Sequence, residues 1–447
     1  MTRDQAESLA KKVLQAAKEP EVSLHLNLRR HGFLRFARNA PTTSGFTQVG
    51  EANVTAWKGK RKASASASVN LADMAEAEST LKSLVSQAEE LAAVSPEDRE
   101  YMPLLGPQEY VEVNGYDAET AEMPAARRTK AVSDAIETAK RQKVIAAGLF
   151  ENVAQTSVLA NSAGLFAHYP SSVATFSVTA RSVDEQGSGY TAISSHKFAS
   201  LDVKEMTAIA SRKAIESRAG REIKPGAYTT ILEPQAAADL ISRLDFDARL
   251  SDEGRSVFTA SGGKTRLGDR IFDPRVNLYV DPQHATIPSR PVGPEGYPVV
   301  KADLVREGVL KNLTYSRFWA DKSKKQPGPY QTNLIIDGES TPLSKLIAST
   351  ERGVLVTRLW YIRPVDPQQA LFTGLTRDGT FWIEDGEIKY PIKNFRFNES
   401  PYRILGEVEA LGTSQPAVSG ERYGDFRMLL PAIKVKSFRF TSISDAV

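Results

Sequence analysis

Val22, Leu24, Leu26 and Leu28 alternate with Ser23, His25 and Asn27, and Leu34 and Phe36 carry the same period of two beyond His31-Gly32. That phasing puts the apolar set on one face of a pleated sheet and the polar set on the other. Strands of this kind are half-buried and need a covering layer. The chain supplies one beside them: Ala6, Leu9, Ala10, Val13, Leu14 and Ala17 recur at spacings of three and four, the stripe of an amphipathic helix. Residues 46–57 and the Ala/Ser alternation from Lys62 to Val69, joined around Lys58-Gly59-Lys60, read as a further hairpin. Together these segments predict a four-stranded meander, followed by a helix over residues 73–93.

Residues 95–124 are rich in Pro, Glu and Tyr and carry no period, which predicts a long surface connection. A helix over 126–143 follows, with Val132, Ala135, Ile136 and Ala139 on its face. Strand-like segments then run to residue 198, broken at Asn161-Ser162-Ala163-Gly164 and Gln186-Gly187-Ser188-Gly189. Residues 203–219 read as a helix, with Gly220 placed to cap its C-terminus. Between Gly220 and Pro225-Gly226 the pattern changes to strands and turns. One clear helix remains, starting at Pro234 and running through Ala238, Ile241 and Leu244 toward Leu250. Strand candidates follow at 276–280, 334–336, 353–362, 379–383, 387–392 and 433–440. The length of 447 residues suits two domains. The expected fold is α+β: an N-terminal α/β-sheet domain over 1–222, with a central strand region from about 125 to 222, and a β-rich domain over 223–447 of packed sheets or an open barrel.

The absence of cysteine removes disulfides, thiolate metal ligands, iron–sulfur clusters and a cysteine nucleophile from this chain. Its 57 basic and 54 acidic residues leave a net charge of +3, too small an excess to mark a nucleic-acid binder. No apolar run reaches the ~18 residues of a membrane span, so a cytoplasmic location is expected. Gly262-Gly263-Lys264-Thr265 ends like a phosphate-binding loop, but Phe258 stands where that loop requires glycine. His25, His31, His168, His196 and His284 form no close pair with metal-ligand spacing, and no Gly-x-Ser-x-Gly elbow exists.

Carboxylates gather around the second-half helix as Glu233, Asp239, Asp245, Asp247, Asp252 and Glu253. Asp245 and Asp247 are the pair a divergent hydrolytic site would use, although a solvated helical tail predicts the same letters. Arg29, Arg30, Arg35, Arg38, Lys58, Lys60, Arg61 and Lys62 surround Phe33, Phe36 and Trp57 on the first meander. Such a set suits single-stranded nucleic acid, and equally a sheet edge guarded against pairing.

Several segments in order resemble one family: the strand from Gly32 to Asn39, Gly59-Lys60-Arg61, and Leu159-Ala160-Asn161-Ser162-Ala163-Gly164 in the first half. In the second half they are Pro225-Gly226-Ala227-Tyr228 to Leu232-Glu233-Pro234, Leu267-Gly268-Asp269-Arg270-Ile271, Val280-Asp281-Pro282, and Asp385-Gly386-Glu387-Ile388 through Tyr390-Pro391-Ile392. The chain resembles the TldD/PmbA family, also called TldD/TldE peptidases or modulators of DNA gyrase, and is closer to its PmbA (TldE) branch.

In the TldD branch, the resemblance implies a His-Glu-x-x-x-His zinc motif on the second-domain helix, completed by a cysteine near the C-terminus. Here the histidine positions fall near Asp239 and Leu244, the glutamate near Leu240 and the cysteine near Ala417. The resemblance therefore assigns no catalytic residue and no metal ligand to this chain, and it identifies no peptide-binding residue. It implies a non-catalytic subunit of a zinc metallopeptidase heterodimer that processes or degrades unfolded or short peptides, with the zinc in a TldD-type partner. No membrane partner is expected, nucleic acid is disfavoured, and a homodimer stays open for the chain alone. The alternatives are a stand-alone peptidase with a divergent site and a nucleic-acid or topoisomerase-regulating binding protein.

Overall fold

The computed structural model describes residues 1–420 and 426–444; the last three residues of the expected second domain lie outside them. The first domain is built on a six-stranded antiparallel sheet. Its strands are β1 (Glu21–Ala37), β2 (Ala40–Lys58), β3 (Arg61–Ser68), β4 (Val144–Asn161), β5 (Phe166–Ser182) and β6 (Ser188–Ser195), ordered β3-β2-β1-β4-β5-β6. The meander thus has three strands of its own, and β4 is the fourth neighbour. Where the sequence suggested a division at His31-Gly32, β1 runs unbroken. Gly32 marks a close approach: a Cβ there would lie 2.4 Å from Arg128 Nη1.

One face of the sheet is covered by two helical pairs, one toward each end. α1 (Arg3–Leu14), with a Thr2–Gln5 capping box, and α2 (Met74–Val94), capped by Asp73, bury Val22, Leu24, Leu26, Val54 and Ala56. Beyond the short α3 (Ala118–Ala121), α4 (Ala125–Arg141) and α5 (Val203–Glu216) bury Leu34, Phe36, Phe150, Phe176 and Val178. Between the pairs, buried Arg128 donates to Asn152 Oδ1 and to the Met123 carbonyl, both at 2.9 Å. Gly220 is not the left-handed residue after α5; Ala219 is, with φ 53°. Gly220 is small because a Cβ would meet the Ile392 backbone at 2.9 Å.

The segment before α3 is the long surface connection expected, with every residue from Ala93 to Asn114 exposed or half-buried. It lies along both domains and is tied to each. Asn161 Nδ2 donates to Leu105 O at 2.8 Å and Arg317 Nη2 to Pro103 O at 2.7 Å, while Tyr110 Oη donates to Gly296 O at 2.7 Å. Irregular backbone has no ladder of its own, and here both domains satisfy its polar groups.

The second domain begins with β7 (Gly226–Leu232) and α6 (Pro234–Ile241). The single helix expected toward Leu250 stops at Ile241, because Asp247 starts a new one, α7 (Ala248–Asp252), by accepting from Arg249 N and Leu250 N. Gly262 and Gly263, both at positive φ, form the tip of a small hairpin, β8 (Thr259–Ala260) with β9 (Lys264–Thr265). One sheet follows from β10 (Leu278–Val280), β11 (Ala302–Arg306), β12 (Val309–Leu310), β13 (Asn333–Ile336), and two later strands, β19 (Gln415–Ala417) and β20 (Arg427–Leu430).

The remaining strands are β14 (Arg352–Asp366), β15 (Leu371–Glu384), β16 (Glu387–Pro391), β17 (Asn394–Glu399), β18 (Val408–Leu411) and β21 (Ile433–Ser444). Five strands in the order β14-β7-β21-β17-β15 close into a barrel, since β14 also pairs with β15. The domain therefore contains both a sheet and a closed barrel, with α6 packed between β14 on one side and β19 and β20 on the other. Short helices at Arg317–Ser323, Leu343–Ala348 and Pro401–Gly406 add to the one expected. Each is too short to show a 3.6-residue period in sequence.

Candidate functional site at the domain interface

Pro234 opens α6 and three alanines let it sit deep between barrel and sheet, so that Asp239, with no solvent exposure, is carried into the interior. Its Oδ1 accepts from Gly420 N at 2.9 Å and from Gln235 Nε2 at 3.1 Å, and its Oδ2 accepts from Leu359 N at 3.1 Å. Gln235 also donates to Val418 O, and Ser242 and Ser419 meet through their hydroxyls at 3.3 Å. The fold thus brings Asp239 beside the segment that follows Ala417. Leu240 and Leu244 instead turn into the apolar core. Burial pushes the Asp239 carboxyl up to about 7, while the Gly420 N–H, the Arg358 charge and the Leu359 N–H pull the other way.

This donor set does not fit zinc. Catalytic zinc takes three protein ligands, but the Asp239 oxygens already accept from three donors, Ala417 offers a methyl group, and Leu240 and Leu244 offer nothing. Among the described residues, no group of three or more His, Cys, Asp or Glu could hold a metal ion.

Beside Asp239, a polar seam joins the two domains. Arg358 on β14, 8% exposed, donates to Asp378 Oδ2 at 3.1 Å. Its guanidinium lies 3.8 Å from the ring centre of Tyr190 on β6 and 4.6 Å from that of Trp360. Asp378, on β15, accepts from Ser188 Oγ of β6 at 2.5 Å. Lys213 on α5 pairs with Glu233 at 2.6 Å, and Thr357 Oγ1 donates to the other Glu233 oxygen at 3.2 Å. Two buried atoms, Arg358 Nε and Gln235 Oε1, have no hydrogen-bond partner among the described residues. Along the seam opens a cavity of about 310 Å³ lined by Ser188, Ser217, Asp378, Thr380 and Asn394. Sequence reading missed Arg358, Asp378, Tyr190 and Lys213; the Asp378-Gly379 pair inside a strand was the one local irregularity that pointed here.

The other sequence candidates hold structural positions. Asp245 Oδ1 accepts from Asp247 N at 3.1 Å, and Asp247 caps α7. Asp252 accepts from Trp319 Nε1 at 2.6 Å, and Glu253 pairs with Arg249 and Arg255. On the basic meander, Lys62 pairs with Asp98 at 2.6 Å, Lys58 lies 3.7 Å from Glu19, and Phe36 is buried against Phe176. His31 meets Glu151 at 2.8 Å. His196 is 4% exposed, and burial together with nearby Arg427 lowers it to about 4.

Comparison with known proteins follows the same lines. The PmbA/TldA metallopeptidase C-terminal domain matches residues 225–442, and the PmbA/TldA metallopeptidase central domain matches residues 116–218. No curated protein matches the chain. Among solved structures, a protein described as a candidate modulator of a DNA gyrase from Thermotoga maritima is similar with a TM-score of 0.84 at 18% identity, over 97% of this chain and 100% of that one. TldE from Thermococcus kodakarensis gives 0.83 at 19% identity, over 98% and 100%. A candidate modulator of DNA gyrase from Bacteroides thetaiotaomicron gives 0.79 at 17% identity, over 98% of each chain. No helix among the described residues is long and apolar enough to cross a membrane.

Proposed function

The chain belongs to the TldD/PmbA metallopeptidase family, and from that premise we propose that it is the non-catalytic subunit of a cytoplasmic zinc metallopeptidase heterodimer that processes or degrades peptides. The zinc sits in a TldD-type partner, and unfolded or short peptides are the substrate. One observation carries this reading. At the helix where a peptidase of this kind needs metal ligands, the Asp239 carboxylate is committed to Gly420, Leu359 and Gln235, and its helical neighbours Leu240 and Ile241 are core residues. A subunit with such a helix contributes shape: a wall for the chamber, strand edges for an extended peptide, and an interface that orders the metal site next door.

The test is a pull-down of the tagged full chain from its native cytosol, with mass spectrometry of the eluate and metal analysis. A one-to-one partner bearing His-Glu-x-x-x-His and zinc is the expected result. Stoichiometric zinc and peptide cleavage by the isolated chain overturn the proposal.

A further inference from the structure

β2 pairs with β1 along its whole length, but β3 covers only Glu51 to Lys58 of its outer side. From Ala40 to Val49 the outer edge pairs with no strand among the described residues, and every residue there is exposed except half-buried Gly45. Phe46 is 61% and Val49 40% exposed. Natural edge strands are guarded by charge, proline or a bulge. Here the guards, a bulge between Arg35 and Phe36 and Pro41, stand only at the hairpin tip. Residues 42–50 contain no charged side chain.

We propose that the free edge of β2 between Thr42 and Val49 is a docking strip for an extended acidic peptide, which adds beside it as a further strand. Two observations choose that occupant. The β1–β2 hairpin from Val22 to Gly50 carries Arg29, Arg30, Arg35 and Arg38 and no carboxylate, so its field selects negative charge. The edge itself offers main-chain donors and acceptors, which recognise an extended backbone whatever its sequence.

A second copy of the chain fits less well. A strand edge of this length is a strip of roughly 30 by 10 Å, or about 300 Å², far below the ~800 Å² per partner of a stable interface. Single-stranded nucleic acid fits less well again. The arginines would attract its phosphates too, but Phe36 is inside the core, which leaves Phe46 as the exposed ring on the strip where stacking of successive bases requires several. The inference rests on the accessory-subunit reading for the peptide's origin, but its test uses the isolated chain, so it fails or stands without the partner.

Fluorescence anisotropy of the full-length protein is measured with a labelled dodecapeptide alternating Thr and Glu. The same peptide N-methylated at every second residue, its Thr/Lys counterpart and oligo-dT serve as the other probes. Saturable binding of the acidic peptide is expected, weakened about tenfold or more by N-methylation. Thr47→Glu and Ser44→Glu, each at an exposed position, weaken it about fivefold, and Arg35→Gln with Arg38→Gln does the same. Equal affinity for the N-methylated peptide, or unchanged binding by both Glu variants, overturns the proposal. So does tighter binding of oligo-dT, or a homodimer in sedimentation that the Glu variants dissociate.

Discussion

Replacing Asp239 by Asn tests the interior of the second domain through its pH dependence. The carboxyl is fully buried and raised from 3.8 to about 7. Between those two values the unfolded chain has released a proton that the folded protein keeps. Stability therefore falls as pH rises through this window and levels off above about 7. The gap corresponds to at most roughly 4 kcal/mol. Asn keeps one acceptor oxygen but presents an amide N–H₂ where the second oxygen stood, leaving either the Gly420 or the Leu359 N–H unpaired. That costs about 1–3 kcal/mol and does not titrate. Urea unfolding followed by tryptophan fluorescence reports mainly on this domain, since three of the four tryptophans, Trp319, Trp360 and Trp382, lie in it. The wild type is expected to be the more stable form near pH 4, and the advantage shrinks or reverses by pH 8. Curves that stay parallel across that range refute the buried, proton-holding carboxyl.

The domain seam gives two further expectations. Lys213→Met leaves the Glu233 carboxylate, 12% exposed, with Thr357 as its remaining described partner, and is expected to cost about 3 kcal/mol. Adding Glu233→Gln should restore most of that loss in a double-mutant cycle, and additive losses would show that the pair is not coupled. His196, lowered to about 4 from 6.5, has the opposite sign to Asp239. The unfolded chain takes up a proton first, so stability is lost as pH falls from about 6.5 toward 4, by at most roughly 3 kcal/mol. In His196→Gln this acid sensitivity should diminish in a thermal-melt series, and an unchanged pH profile contradicts the buried neutral ring.

The first domain was readable where one period ran long. The alternation from Val22 to Phe36 located β1 because one face is buried along most of its length, and the helices that cover it carried their own stripes. Gly32 misled because a glycine can mark either a turn or a close approach, and only the position of Arg128 decides between them. The apolar run past Pro234 misled in the same way: Leu244 and Phe246 are buried, so the pattern continues while the helix does not. Asp239 stood out in the sequence only as one of six carboxylates, and its pairing with Ala417 came through the resemblance. The seam was beyond sequence reading, since Tyr190, Arg358 and Asp378 come from three strands in two domains and share no local pattern. The connection before α3 was legible as surface, since irregular, polar segments usually are, but its ties to Asn161, Gly296 and Arg317 were not.

The barrel also imposes an order of events during synthesis. β7 lies between β14, in parallel, and β21. Its first neighbour emerges more than a hundred residues later and its second about two hundred later. At ~5–20 residues per second, roughly ten to forty seconds pass before both edges of Gly226–Leu232 are filled. Over that interval the first domain has every strand of its sheet, while the second holds open edges and apolar segments with nothing yet to close them. A chaperone that binds exposed strands thus has a defined window on this chain, opening when β7 leaves the ribosome and closing when Ile433–Ser444 arrives to complete the ring.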